Sequence, residues 1–425
     1  MRGGERTRPE SRWRPVLRPF PGRRLPEHLA PRRVGRLAER LAAGVRDPGF
    51  ETLLSEIDQA LVHTGNRVEL FFRGPEAFAA MLAAVESAAA EVLLESYILR
   101  DDPTGRRFAD ALIAARRRGV RVRVLADAFG SWRTPAAFWR RLRGEGIESR
   151  LFSPLWTSSL RTVQLRDHRK ILVVDRRIAF TGGMNIGEEY GSSTRPRGGV
   201  FRDTHARVEG TAAWEMAVVF REGWRRAGGS RFPIENAAPS GSPGARVLVL
   251  DTRPRRGARE FAASMSALVG ATRERLWLTT AYFAPRFRGV RLLGRAARRG
   301  VDVRLLVPGR TDVPLVRHAG HGFFSALLSR GIRVFEYQAA ILHAKTAVAD
   351  GCVSIVGSSN LDFRSFELNA ECNFAIFDEP SGRAMEQRFE RDLAESVEIR
   401  LGPWRRRGRV HRLGDTLARS LAPIL

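Results

Sequence analysis

Two short stretches carry residue types at a spacing suited to attack on a phosphodiester. His168, Lys170 and Asp175 stand in HRKILVVD, and His343, Lys345 and Asp350 stand in HAKTAVAD. Both read H-x-K-x-x-x-x-D. Each is followed, 17 residues after its histidine, by an asparagine in a glycine-containing loop: Asn185 in TGGMNIG and Asn360 in VGSSNLD. The chain has 72 basic residues, and Lys170 and Lys345 are its only lysines. A sequence that otherwise writes arginine keeps a compact ammonium at two matching places, where a broad planar guanidinium would crowd a histidine.

Residues i and i+2 of a strand share a face, so each histidine and its lysine project together, while ILVV and TAVA bury the rest of each strand. If the two stretches face one another, two imidazoles, two ammonium groups and two carboxamides surround one point. A neutral imidazole is a competent nucleophile near pH 7. One histidine can attack phosphorus to form a phosphohistidine. The other can protonate the leaving alkoxide and then deprotonate the next acceptor. The lysines and amides offset charge on the equatorial oxygens. No metal is required, no clustered ligand set is evident, and no cofactor is expected. Asp175 and Asp350 fall where the strands turn, in DRR and DGC. They are counted with the catalytic set, and the alternative is a turn residue capping backbone amides.

The elements around these stretches occur twice. EVLLESYIL matches RLWLTTAYF, and ADALIAARRRGVRVRVLAD matches LLGRAARRGVDVRLLVPG, each of the latter pair a basic-rimmed helix, a glycine and a β-rich run. Gly119 and Gly300 lie 181 residues apart, and His168 and His343 lie 175 apart. So constant an offset marks an internal duplication. Alternating strands and helices predict an α/β fold of two similar lobes, with mixed sheets packed face to face over one shared active site. The expected boundaries are a basic arm over 1–50 ending in the amphipathic RVGRLAERLAAGV, a first lobe over 51–225, a Gly/Pro/Ser-rich linker over 226–245, a second lobe over 246–400 and a basic amphipathic tail over 401–425.

Bulk composition bounds the partners. A formal net charge of +26 calls for an anionic partner, either a membrane surface or a nucleic acid. Two cysteines form no disulfide framework or zinc motif, and a reducing compartment is the default expectation. No apolar run reaches the length of a transmembrane helix, and the N-terminus lacks the apolar centre of a signal peptide. The basic amphipathic ends, and FSPLWTSSLRTVQLR ahead of His168, are interfacial in character.

HRKILVVDRRIAFTGGMNIG and HAKTAVADGCVSIVGSSNLDFRSFELNAE resemble the paired HKD motifs of the phospholipase D superfamily, and the second is most similar to bacterial cardiolipin synthases. The likeness runs over roughly residues 65–400. The absence of transmembrane spans makes the chain look like the shorter, B-type branch, placed peripherally on the cytoplasmic face of the cell membrane. The resemblance implies transfer of a phosphatidyl group from one phosphatidylglycerol to another, giving cardiolipin and glycerol. It assigns the attack to His168 and the acid/base role to His343, a choice the near-symmetric residues do not make themselves. It also implies an acidic residue after each motif to orient a histidine, for which Asp203 in FRDTHARVEG and Glu371 in LNAEC stand in place; His205 beside Asp203 reads as structural. Still open at this point are hydrolysis of phospholipid or nucleic acid by the same first step, and a scaffold that binds anionic membranes or nucleic acid without turnover.

Overall fold

The computed structural model describes residues 29–154, 164–191, 201–234, 243–252, 258–285 and 287–421. Most of the basic arm, nine residues ahead of the first motif, the middle of the linker and the last four residues lie outside that set. Among the described residues no helix is long and apolar enough to cross a membrane.

The first lobe contributes strands β1 (Val62–Phe71), β2 (Glu91–Ser96), β3 (Arg121–Asp127), β4 (Glu148–Phe152), β5 (Lys170–Val174), β6 (Ile178–Gly182) and β7 (His205–Glu209). The second contributes β8 (Ala245–Thr252), β9 (Arg275–Thr279), β10 (Asp302–Pro308), β11 (Arg333–Tyr337), β12 (Thr346–Ala349), β13 (Val353–Gly357) and β14 (Glu371–Phe377), with β15 (Ser396–Ile399) at its edge. They form one 15-stranded sheet in the order β15-β11-β10-β9-β12-β13-β14-β8-β1-β7-β6-β5-β2-β3-β4. Read outward from the β8–β1 pair, the two halves have the same order. The duplication is therefore a pseudo-twofold arrangement about that antiparallel pair, in which Val62 faces Leu248.

β2–β4 and β9–β11 run parallel, joined by helices, whereas the remaining neighbours are antiparallel. Strands such as KILVV, VSIVG and ECNFAIF are buried along their whole length. This is the pattern of strands covered on both faces. Beyond the edge-to-edge join, the lobes also pack face to face. Val173, Ala206 and Val208 of the first share one apolar core with Val249, Val356 and Phe374 of the second. Gly119 and Gly300 close equivalent helices at φ +93° and +92°, a region that favours glycine.

The ends of the chain depart from the expected boundaries. Helices Pro31–Ala38 and Pro48–Asp58 bury Val34, Ala38, Phe50, Leu54 and Ile57 in the core of the second lobe. From residue 29 the chain thus joins the second lobe before the first begins at β1. In the tail, Trp404 is buried against Phe324 at 5.0 Å between ring centroids. Helix Arg409–Leu421 packs on helix Pro314–Leu328. These segments dock because each has an apolar face and the second lobe leaves helices for them to cover.

Candidate active site

Each histidine sits one residue after a short bridge to the opposite lobe, Asp167 with Ala370 and Leu342 with Arg202, and two or three residues before its own strand begins. The His168 N–H donates to the carbonyl of Ala370 at 2.9 Å, and the His343 N–H to that of Arg202 at 2.8 Å. Ala370 and Arg202 are the residues immediately before Glu371 and Asp203. The backbone pairing therefore delivers each acid to the histidine of the opposite lobe. Glu371 Oε2 lies 2.9 Å from His168 Nδ1, and Asp203 Oδ2 lies 2.7 Å from His343 Nδ1. The acids follow their motifs in sequence as expected, but each orients the other motif's histidine. Gly183 makes room for one of them: a Cβ there would stand 2.2 Å from Asp203 Oδ1.

Both rings, with Asn185 and Asn360, line one cavity of about 1320 Å³ between the lobes. That exceeds the range of about 300–1,000 Å³ usual for one small ligand. With both Nδ1 atoms engaged, Nε2 is the nitrogen each ring turns to the cavity. Lys170 Nζ donates to the His168 carbonyl at 2.6 Å, and Lys345 Nζ donates to the His343 carbonyl and stands 2.9 Å from His343 Nδ1. The asparagines hold equivalent places, accepting from the Ile98 N–H at 3.1 Å and the Tyr282 N–H at 3.2 Å.

The two half-sites differ. Glu371 also accepts from the Ser365 hydroxyl at 2.8 Å and the Asn369 amide at 3.3 Å. Burial works against its ionisation, yet His168, Lys170 and Ser358 outweigh it and hold the carboxyl below its ordinary value. Asp203 has fewer donors. Burial pushes it up to about 6, against the pull of Lys345. Burial lowers the His168 imidazole, opposed by Glu371; burial and Lys345 hold His343 well below the ordinary value. Both shifts favour the neutral imidazole near pH 7. Burial also brings Lys170 down to about 7 and Lys345 to about 8.

Residues with no counterpart across the repeat complete the asymmetry. The Tyr190 hydroxyl lies 3.2 Å from His343 Nδ1 and accepts from the Asn185 amide at 3.1 Å. The Tyr97 ring stands edge-on to His168 at 4.9 Å, with Lys170 Nζ 5.2 Å from its centre. Tyr282, beside His343, donates to both oxygens of Asp312 at 2.9 and 2.8 Å. Arg169, the variable residue of the first H-x-K, is fully buried on Asp251 of the other lobe, where the second motif has Ala344. His205 is buried and outside the cavity lining; burial takes it down to about 4.

Asp175 and Asp350 do not join this group. They lie past the far ends of β5 and β12, about 16 Å along a strand from the lysines. Asp175 accepts from the N–H groups of Ala89, Ala90 and Glu91, all at 2.8 Å. Asp350 accepts from those of Arg273, Glu274 and Arg275, all at 2.9 Å. Both have positive φ, +50° and +49°, which a short polar side chain tolerates. The capping reading of these aspartates is the one the geometry favours. Asp350→Ala is expected to cost about 3 kcal/mol of stability, by stranding three amides and placing alanine at positive φ. Asp350→Asn should cost about a third of that, and in both the turnover of the folded fraction should stay close to wild type. Denaturant melts and activity at low temperature test this.

One grouping of potential ligands lies away from the cavity. His318, His321 and Asp415 bring donor atoms within 4.8 Å of one another. They are engaged already: His318 Nδ1 with Asp415 at 3.0 Å, His321 Nε2 with Glu336 at 2.8 Å, and Asp415 with Arg407 at 2.9 Å. They pin the tail helix to helix Pro314–Leu328.

Comparison with known proteins matches this architecture. The family described as "Cardiolipin synthase, PLD-like domain" matches residues 81–194 and 265–393, one segment in each lobe. The chain is 36% identical over 391 residues to cardiolipin synthase A of Pseudomonas aeruginosa, covering 92% of this chain and 79% of that one. It is 34% identical over 361 residues to the cardiolipin synthase of Alkalihalophilus pseudofirmus, covering 83% and 71%. Against cardiolipin synthase 1 of Bacillus cereus the identity is 31% over 369 residues, covering 84% and 72%. Among solved structures, the phosphatidylserine synthase of Haemophilus influenzae superposes with a TM-score of 0.68 at 14% identity, over 88% of this chain and 98% of that one, a likeness of fold. The chain belongs to the cardiolipin synthase family of phospholipase D-like enzymes.

Proposed function

We propose that the protein is a peripheral membrane phosphatidyltransferase that joins two phosphatidylglycerols into cardiolipin and glycerol through a covalent phosphohistidine, without a metal ion. The observation that carries this reading is the crossed pair of histidine–carboxylate contacts opening on one cavity.

In the first step His168 Nε2 attacks phosphorus while the bond to the glycerol oxygen breaks, and His343 Nε2–H supplies the proton that glycerol carries away. In the second, the terminal hydroxyl of another phosphatidylglycerol attacks, its proton passes to His343, and the phosphorus–nitrogen bond breaks. Cardiolipin leaves and both rings regain their starting state. The assignment of His168 as nucleophile rests on its surroundings. Its Nδ1 faces a single acid held ionised, which fixes the N–H there and leaves a lone pair on Nε2. His343 Nδ1 instead meets an acid, a phenol and an ammonium, a setting suited to proton exchange. The bound phosphate adds negative charge that offsets burial and raises His343 toward the acid form it needs. The two ammonium groups and the asparagine amides supply the countercharge that a metal provides in other phosphoryl-transfer sites.

The sign of the pH dependence follows. As pH falls below about 6, Asp203 gains a proton and releases His343, so activity drops. As pH rises through about 7 to 8, Lys170 and Lys345 lose theirs and the phosphate loses its countercharge. We expect kcat/KM to be bell-shaped between those limits, and the alkaline limb of kcat to lie higher because bound phosphate favours the charged lysines.

The decisive assay incubates purified protein with phosphatidylglycerol vesicles in excess chelator and resolves the lipid products. Cardiolipin with equimolar glycerol supports the proposal. Phosphatidic acid alone would make the enzyme a hydrolase, and dependence on added divalent cation would remove the metal-free step.

A further inference from the structure

The exposed apolar side chains are not scattered evenly. Among the described residues nine large hydrophobic side chains are exposed. Three line the cavity or stand next in sequence to residues that do. Phe129, 51% exposed, lines it. Trp132, 65% exposed, follows in the same turn, and Leu315, 43% exposed, lies between the lining residues Val313 and Val316. The first two come from the first lobe and the third from the second, so the apolar groups flank the opening on both sides. Two more, Leu413 and Leu417, stand one turn apart on helix Arg409–Leu421, which packs on the helix that begins beside Leu315.

The turn that presents Phe129 and Trp132 is held firmly. The N–H groups of Phe129 and Gly130 donate to Asp127 Oδ1 at 2.8 and 3.0 Å. The Ser131 hydroxyl donates to the Tyr97 carbonyl at 3.1 Å, and the Thr134 hydroxyl to that of Leu99. A tryptophan left two-thirds in solvent on a braced turn gains nothing from the fold itself. Arg133 holds its guanidinium 5.1 Å from the Trp132 ring centre, pairing a cation with an amphipathic aromatic. That combination suits the headgroup level of an anionic bilayer, where the ring meets acyl chains and the cation meets phosphate. The net charge of +26 attracts the same surface from a distance.

We infer that the cavity mouth docks on an anionic phospholipid bilayer, with the Phe129–Trp132–Arg133 turn entering the interface on one side and Leu315 on the other. This rests on the phosphatidyltransferase reading in one respect: a substrate whose chains stay in the bilayer must meet the histidines through a mouth that faces it. Because the turn is bonded to the Tyr97 carbonyl, and the Tyr97 ring touches His168, docking at the rim is continuous with the reacting centre.

The test is flotation of the full chain with vesicles of phosphatidylglycerol and phosphatidylcholine, with melting temperature as a check on folding. The double variant Trp132→Ser/Leu315→Ser should bind at least about tenfold more weakly than wild type. Leu37→Ser, an exposed leucine on helix Pro31–Ala38, which packs on helix Ala258–Ala271 and contributes no residue to the cavity lining, should bind like wild type. A folded double variant within threefold of wild type overturns the inference, as does one that loses affinity for duplex DNA but floats unchanged. Flotation reads attachment whether or not lipid turns over. Absence of cardiolipin from wild type with the rim effect intact would therefore sink the enzymatic reading and leave the docking face standing.

Discussion

His168→Asn is expected to lower kcat by on the order of 10⁵-fold while leaving the fold intact, the largest effect of any single change in the protein. The ring nitrogen forms the covalent bond, and among the two histidines of the cavity lining it is the one whose carboxylate partner is held below its ordinary value rather than pushed up to about 6. His343→Asn should be nearly as damaging with phosphatidylglycerol, because the glycerol alkoxide leaves poorly without a proton. The two variants separate on a donor whose leaving group needs none, such as a nitrophenyl ester of phosphatidic acid. With it, His343→Asn should still release nitrophenol in a burst of one equivalent and accumulate an acid-labile phosphatidyl-enzyme, since the acceptor hydroxyl is no longer deprotonated. His168→Asn should show no burst. If the burst survives in His168→Asn and vanishes in His343→Asn, the roles are reversed.

Lys170→Arg and Lys345→Arg should each cost about 10²- to 10³-fold in kcat although charge is conserved. Both ammonium groups are almost fully buried, and each is folded back on the carbonyl of its own histidine. A guanidinium cannot make that short return without displacing the ring two residues earlier. The effect should fall on kcat with little change in melting temperature, and methionine at either position should be no better than arginine. An arginine variant within threefold of wild type would mean that the two lysines are an accident of a sequence otherwise written in arginine.

What could be read from the sequence was what the duplication wrote twice. The histidines, lysines and asparagines stand at matching offsets, and all six come together at the cavity or directly beneath it. The motif aspartates were legible only as two alternatives, because spacing places them at a strand end without saying which end the chemistry occupies. The crossing of Asp203 and Glu371 was not legible, since order along the chain carries no record of which lobe a loop will face. Tyr190 and Asp312 were missed for a plainer reason: the repeat offers no copy of either to flag it, the place of Tyr190 being taken by Ser365. The docking of residues 29–58 on the second lobe was hidden because an amphipathic helix declares that one face is covered, not by what.

The exchange of acids between lobes has a consequence for how such a chain could arise. A lone repeat would own a histidine but not the acid that steers it, and would have to borrow that acid from a second copy of itself across a true twofold axis. Once two copies are joined end to end, the axis no longer binds them to be identical. Glu371 can become the fully ionised steering group and Asp203 the proton-sensitive one, so that twin histidines inherit different trades from a common ancestor.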